Sequence, residues 1–501
     1  MWVIIKTIIY SSCVLVIMGI LIKETEGSAN DGKPKLFGIN ELDDIIGTIP
    51  SNYVILLEGK PGTGKTSLAI RTVCRNIKEV GSRVLYVTSN ECVDKLKEVA
   101  RSIGCDLDSG IAEGKVKVIE CPTLGDEYLV EVITEEVMKH VLDGYDMVVI
   151  DSVTPLMKIL GSYAKKRAWL HTVVYKIASA QNVTVLLVCD TLVKHDPDVA
   201  LLEYLTDTVI KLEFNPSSVF PRSLRILKHR AKDTPSFPVY FYIASDGIHA
   251  INVVSEDFAR ELRARRKEII IADEPVGKLL GSKLRPGTQV SIVIRHPATS
   301  LGLFHKYLVL KIGLESLRKG IKVGMIYFGK EKGHKLPEEE VVGEVLKDKL
   351  IEIPADITRV QAPHYWGSPI SDPRLADVLV ISGYERLVEL YGLDEVNKML
   401  TAYHIIDSKL GLITFRIFRT TPSVPSPPSA MMTLSDIVLE VTLNEERECF
   451  NIRVIKSEHA LRPVTILDTE LRYAVKKLRQ EFEKSIRELM SEGVKRSDGQ
   501  Q

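Results

Sequence analysis

Residues 59–67 read GKPGTGKTS, directly after the apolar run YVILLE and before the helix-like run LAIRTVCRNI. These types at this spacing suit one chemistry. Glycines at 59, 62 and 64 free the backbone, so successive N–H groups can converge on an anion, and a helix N-terminus adds partial positive charge. Lys65 at the head of that helix is placed to reach phosphate oxygens, and the Thr66 hydroxyl suits a magnesium ion. Gly59, Lys60, Pro61, Gly62, Thr63, Gly64, Lys65, Thr66 and Ser67 are therefore the expected phosphate-binding set, with ATP and Mg2+ as the expected cofactors.

A magnesium site of this kind needs a carboxylate at a strand end. YDMVVIDS, residues 145–152, supplies four apolar residues and then Asp151. Between the two motifs the strand-like VLYVT ends in Ser89-Asn90-Glu91. Glu91 at that tip could polarise an attacking water. The alternative is an acid at a helix N-terminus, with Ser89 or Asn90 as its cap.

The elements that must position these groups follow from the pattern. Each motif sits where an apolar, strand-like run ends and a helix-like segment follows. At 501 residues the chain is long enough for two or three domains. Apolar residues make up 45% and charged residues 26%, with Lys+Arg and Asp+Glu equal at 66 each, so no global field favours nucleic acid. The seven cysteines form no C-x-x-C pair, which signals neither zinc nor a disulfide framework and points to a reducing interior. Cys189, at the end of VTVLLVC, reads as a buried small hydrophobe. Residues 2–22 are apolar enough and long enough to span a membrane. Two readings stand there, an anchor or a misassigned start with Met18 or a later residue as the true beginning. The lysines at 23, 33 and 35 place the downstream chain in the cytoplasm.

FGINELDDIIG, GKPGTGKT, YVTSNE, VVIDS and LRILKHRAKDTPSFPVYFYIASDGI, in that order over about residues 35–250, resemble a RecA-superfamily ATPase of the KaiC-like type. The resemblance implies an α/β fold with a mainly parallel sheet flanked by helices, ATP in the crevice at the strand C-termini, and assembly into a homo-oligomeric ring or filament with ATP at subunit interfaces. It also implies a K-x-R arm reaching a neighbour's nucleotide, matched here by Lys228 and Arg230. Lys and Arg two apart on a strand share a face, as an anion clamp requires, although an exposed basic strand would look the same. The family carries two adjacent glutamates where this chain has Asn90-Glu91, which puts the hydrolysis rate in question. One P-loop paired with arginine-rich stretches also resembles archaeal gas-vesicle regulators of the GvpD type.

A long internal repeat runs through the chain. LDDIIG (42–47) parallels VGKLLG (276–281), GKPGTGKT parallels the stretch around Pro297, YDMVVIDS parallels ADVLVISG, LTDTVIKLE parallels LSDIVLEVT, and RILKHR parallels RVIKSE. The chemistry is not repeated. Leu301 and Gly302 stand where Lys65 and Thr66 do, Ala298 and Ser300 replace Gly62 and Gly64, Ser382 replaces Asp151, Lys330 or its neighbour replaces Glu91, and Lys456-x-Glu458 replaces the K-x-R. The expected fold is two tandem RecA-like P-loop lobes, the second degenerate, plus a C-terminal helix. The expected boundaries are 1–24 for the anchor or false start, 35–250 and 273–460 for the lobes, 251–272 for a basic linker helix, and 461–501 for a C-terminal helix with a disordered tail from 491.

The linker's arginines at 260, 263, 265 and 266 suit either a solvated helix or contact with nucleic acid or an acidic partner. Residues 361–373 and 420–432 read as Pro-rich loops, and DTLVKHDPDVALLEY (190–204) lies where the family places channel-facing loops. Leu471, Val475, Leu478, Phe482, Ile486 and Leu489 give the C-terminal helix an apolar stripe, for the second lobe or for another chain. Three functions fit: a slow ATP-hydrolysing switch with one active and one inactive lobe, a non-catalytic ATP-dependent scaffold for a partner protein, or a DNA-handling relative, which the neutral charge disfavours.

Overall fold

The computed structural model describes residues 32–497 apart from 122–126, 192, 194–195, 219, 231–232, 235–236, 252, 255, 271–279, 281–282, 296–301, 329–349, 356–375, 445 and 458–463. Two compact units divide the chain. One comprises the residues up to Asn215 with Arg222–Ala250, the other Pro216–Pro221 with Ile251 onward.

In the first unit, β1 (Val54–Gly59), β2 (Val84–Thr88), β3 (Val116–Glu120), β4 (Met147–Asp151), β5 (Thr184–Asp190), β6 (Thr208–Phe214), β7 (Arg222–His229), β8 (Val239–Ala244) and β9 (Gly247–Ala250) form one sheet. Their order is β3-β2-β4-β5-β1-β6-β7-β8-β9. The pairs from β3 to β6 are parallel, and those beyond β6 are antiparallel. β1, β2 and β4 are buried along their whole length, as unbroken apolar runs must be when helices cover both faces. The helix α1 (Lys65–Arg75) follows β1, and α2 (Val93–Ser102) follows β2. α3 (Glu127–Leu142) buries Val130, Ile133, Val137 and Val141 in a core shared with β1, β2, β4 and β5.

The second unit repeats this plan. A short hairpin pairs β10 (Ile269–Ile270) with β11 (Lys283–Leu284). Then β12 (Gln289–Ile294), β13 (Val323–Phe328), β14 (Leu350–Ala355), β15 (Val378–Ser382), β16 (Ile413–Arg419), β17 (Ile437–Asn444), β18 (Cys449–Lys456) and β19 (Val464–Leu467) form a sheet in the order β14-β13-β15-β16-β12-β17-β18-β19. Position for position this is the order of the first sheet through β18. The chain is two tandem RecA-like α/β lobes with mainly parallel sheets flanked by helices.

Several expectations need correction. Cys74 and Cys105 are joined in a disulfide, their Cα atoms 6.1 Å apart. The pairing comes from α1's last turn packing beside the residues after α2, which no local cysteine spacing announces. Cys189 is buried as expected, and burial pushes its thiol up to about 12. The basic stretch is helical only over Glu256–Arg265, here α4, and it belongs to the second unit. Its arginines are paired: Arg260 with Asp257, Arg263 with Glu256, Arg265 with Glu261, and the buried Arg266 with Asp377 at 3.2 Å. Of the loop at 420–432, residues from Ser429 begin a short helix that buries Ala430 and Met431. The stretch 190–204 is not all loop, because Pro197 opens the helix α5 (Pro197–Leu205), which Asp196 caps.

The C-terminal helix runs from Asp468 to Ser497, so residues 491–497 are helical and not a disordered tail. It docks on its own lobe, burying Leu471, Val475, Leu478 and Phe482 in the second core, each burial worth roughly 1.5–3 kcal/mol. Among the described residues no helix is long and apolar enough to cross a membrane. Residues 2–22, 361–373, Leu301, Lys330 and Glu458 lie outside the described residues.

Candidate functional site

The loop between β1 and α1 takes the conformation its glycines permit. A Cβ on Gly59 would lie 2.5 Å from the Leu212 carbonyl oxygen of neighbouring β6, so only glycine fits. Gly62 has φ 80° with open space around it, so the demand there is conformational. The Thr63 hydroxyl donates to the Lys60 carbonyl at 2.9 Å, and the Arg222 guanidinium donates to the Gly62 carbonyl at 2.8 Å. α1 begins with Gly64 as its N-cap, without a side-chain cap and without an acid in its first turn. Its first N–H groups, those of Lys65, Thr66 and Ser67 among them, thus have no acceptor supplied by their own helix, the arrangement that receives phosphate.

Lys65 is 6% exposed and folds back over the loop. Its ammonium donates to the carbonyls of Gly59 at 2.8 Å and Lys60 at 2.9 Å, and pairs with Asp190 at 2.9 Å. Thr66 donates its hydroxyl to Asp151, which also accepts from the Tyr86 hydroxyl at 2.7 Å. Burial, then the neighbouring charge of Asp190, raises the Asp151 carboxyl above its ordinary range against the hydrogen bonds from Tyr86 and Thr66. Burial and then Asp151 raise the Tyr86 phenol. A hydroxyl and a carboxylate brought together at a helix N-terminus are the hard oxygen donors magnesium uses when phosphate completes its shell, so the residues present fit Mg-ATP.

Glu91, Lys228 and Arg230 bond elsewhere. Glu91 pairs with Lys95 at 3.0 Å beyond the tip of β2. Neither Ser89 nor Asn90 caps α2. Both reach Ser152, and the cap comes instead from Glu120 at the end of β3, which accepts the Val93 N–H at 2.7 Å. The Lys228 ammonium donates to the Glu203 and Tyr204 carbonyls at the end of α5, both at 3.0 Å, and burial followed by Arg230 lowers its pKa. Arg230 pairs with Asp207 at 2.8 Å. Sequence reasoning missed Asp190, Tyr86 and Arg222. Asp190 closes a visible apolar run, but only the pairing of β5 with β1 makes it a site residue.

Sheet register gives the second lobe's equivalents. Gly59 lies beside Asp190 where Ile294 lies beside Arg419. Asp151 corresponds to Ser382 and Tyr86 to Met325. Lys228 corresponds to Lys456, which donates to the Thr433 carbonyl at 2.7 Å, again at the end of the helix preceding the central strand's partner. The bond Lys228 makes is thus one the fold uses in both lobes.

Residues 37–255 match the family model described as a KaiC ATPase. The chain is similar to the circadian clock oscillator protein KaiC of a Picosynechococcus strain, 27% identical over 296 residues that cover 56% of this chain and 55% of that protein. It is 28% identical to a UPF0273 protein of Thermotoga maritima over 234 residues, 42% of this chain and 93% of that one. A UPF0273 protein of Methanocaldococcus jannaschii is 30% identical over 134 residues, 24% and 55% of the two chains. The chain thus spans about half the length of the clock relative.

Proposed function

We propose that residues 37–255, which match the KaiC ATPase family model, form a KaiC-like P-loop ATPase domain that binds Mg-ATP and hydrolyses it slowly, as a nucleotide-dependent switch. The observation that carries this is the gathering of Lys65, Thr66 and Asp151 at the uncapped head of α1, beside the buried end of β1. Residues 59–67 would hold the phosphates, and Thr66 with Asp151 would hold magnesium. When bound, magnesium supplies charge neutralisation at the phosphate oxygens. Lys65 adds a second cation, and burial of its surroundings strengthens that interaction. Glu91 would turn from Lys95 to orient water.

Arg230, with Lys228, would approach the nucleotide of the next copy in a ring or filament. Lys228 must keep or trade its bonds to α5 to do so. The second lobe would serve as a scaffold or regulatory partner, because Ser382, Met325 and Arg419 stand in place of Asp151, Tyr86 and Asp190 and supply neither the carboxylates nor the phenol of the first. Steady-state ATP turnover tests the enzyme reading. Wild type should turn over measurably and Glu91→Gln should lose on the order of 10²-fold. Equal near-zero rates for both would instead favour an ATP-ordered scaffold that binds a protein client without hydrolysis.

A further inference from the structure

We infer that Asp190 is a positioning residue that holds the Lys65 ammonium out of use until phosphate displaces it, and so sets the ATP concentration at which the site fills. This rests on the nucleotide reading above and adds a control to that same site.

An ammonium has three N–H donors. Those of Lys65 face three acceptors, the Gly59 and Lys60 carbonyls and Asp190 at 2.8, 2.9 and 2.9 Å. A phosphate oxygen must therefore replace one of them. The two carbonyls are part of the loop itself, which leaves Asp190 as the partner to be exchanged. With side chains 6% and 24% exposed, the pair is shielded from water and holds more strongly than a surface ion pair. The backbone of Asp190 is fixed beside the loop. Its N–H donates to the Thr154 hydroxyl at 2.9 Å, and the next N–H, of Thr191, donates to the Gly59 carbonyl at 3.0 Å. Once displaced it would stay beside the incoming polyanion, like charge against like charge, and that repulsion lowers affinity.

The second lobe bears on this. Its Thr420 N–H donates to the Ile294 carbonyl at 2.9 Å, the same bond in the same register, yet the residue before it is Arg419. The backbone frame thus does not require an acid at this position. The acid stands where the sequence keeps the P-loop lysine.

Mg-ATP titration calorimetry on the full chain tests this, using wild type, Asp190→Asn, Asp190→Glu, Lys65→Ala and the Lys65→Ala/Asp190→Asn double variant. Asp190→Asn should bind on the order of tenfold tighter, and Asp190→Glu should stay near wild type. Asp190→Asn should tighten binding less in the Lys65→Ala background than in wild type, because the part of its effect that runs through Lys65 is gone; a residue that merely supports the fold would show the same change in both backgrounds. If Lys65→Ala loses binding but Asp190→Asn binds equally or more weakly than wild type, the gate is overturned and the nucleotide site stands. If Lys65→Ala binds as tightly as wild type, the nucleotide reading falls and the gate with it.

Discussion

In the first lobe the Val54 N–H donates to Asp207 at 2.9 Å; in the second the Gln289 N–H donates to Asp436 at 2.8 Å. Arg83 N–H donates to Asp146 at 3.0 Å, and Lys322 N–H to Asp377 at 2.9 Å. A register shift follows Val209 in one lobe and Val438 in the other. These shared carboxylates sit at the strand starts; Asp146 and Asp377 serve exposed N–H groups, while Asp207 and Asp436 serve the central strands, where a buried N–H without an acceptor would cost about 1–3 kcal/mol. Towards the opposite ends, where the strands of such a sheet present ligand-binding groups, the lobes differ: Asp151 corresponds to Ser382, Tyr86 to Met325 and Asp190 to Arg419. The pattern separates residues that build the sheet from residues that serve its crevice, because only the first kind is common to both lobes.

The separation can be broken by mutation. The largest effect should come from a pair that only the second lobe has. Arg416 and Asp407 are 2% and 1% exposed and 2.6 Å apart, and the first lobe has the buried Leu187 in place of Arg416. Arg416→Leu should strip the buried Asp407 of its cation, leaving it the Thr414 hydroxyl, and lower the stability of the second lobe by about 3–5 kcal/mol in urea unfolding. A loss under about 1 kcal/mol would show the pair to be dispensable. Next, Asp207→Ala and Asp436→Ala should each cost about 1–3 kcal/mol, alike in both lobes. A large cost in one and none in the other would contradict their equivalence.

A smaller effect tests a contrast inside the strands. Glu58, one residue before the P-loop, is buried, whereas its register equivalent is Val293. Burial, then Glu203, with Glu213 adding and Lys211 opposing, raises the Glu58 carboxyl to about 7. The folded state therefore holds the proton more tightly than the unfolded chain. Stability from this group is present below the unfolded value near 4.5 and is lost as pH rises through about 7. Glu58→Gln should thus match wild type at about pH 4 and exceed it by on the order of 1 kcal/mol at about pH 8. A gain independent of pH would rule this account out.

How much of this could be seen in the sequence follows the same division. The P-loop was legible because Gly59 and Gly62 answer backbone demands that few residues meet, and Lys65 and Thr66 follow at fixed spacing. The repeat was legible through its apolar strands, and the sheet orders match segment by segment. Asp190 was not legible as a site residue because its role depends on β5 lying beside β1, a pairing between residues 59 and 190 that no local pattern encodes. The Cys74–Cys105 bond and the Glu120 cap on α2 are nonlocal in the same way. The basic stretch reads as a solvated helix or a contact for nucleic acid or an acidic partner because its charges are visible in sequence, whereas Asp377, the partner of Arg266, lies 111 residues away.

The central claim is that one lobe keeps a nucleotide site and the other only its frame. Native mass spectrometry of the full chain with saturating Mg-ATP tests it directly. The account predicts one nucleotide per chain, and none in Lys65→Ala. Two nucleotides per chain, or one that survives Lys65→Ala, would contradict it.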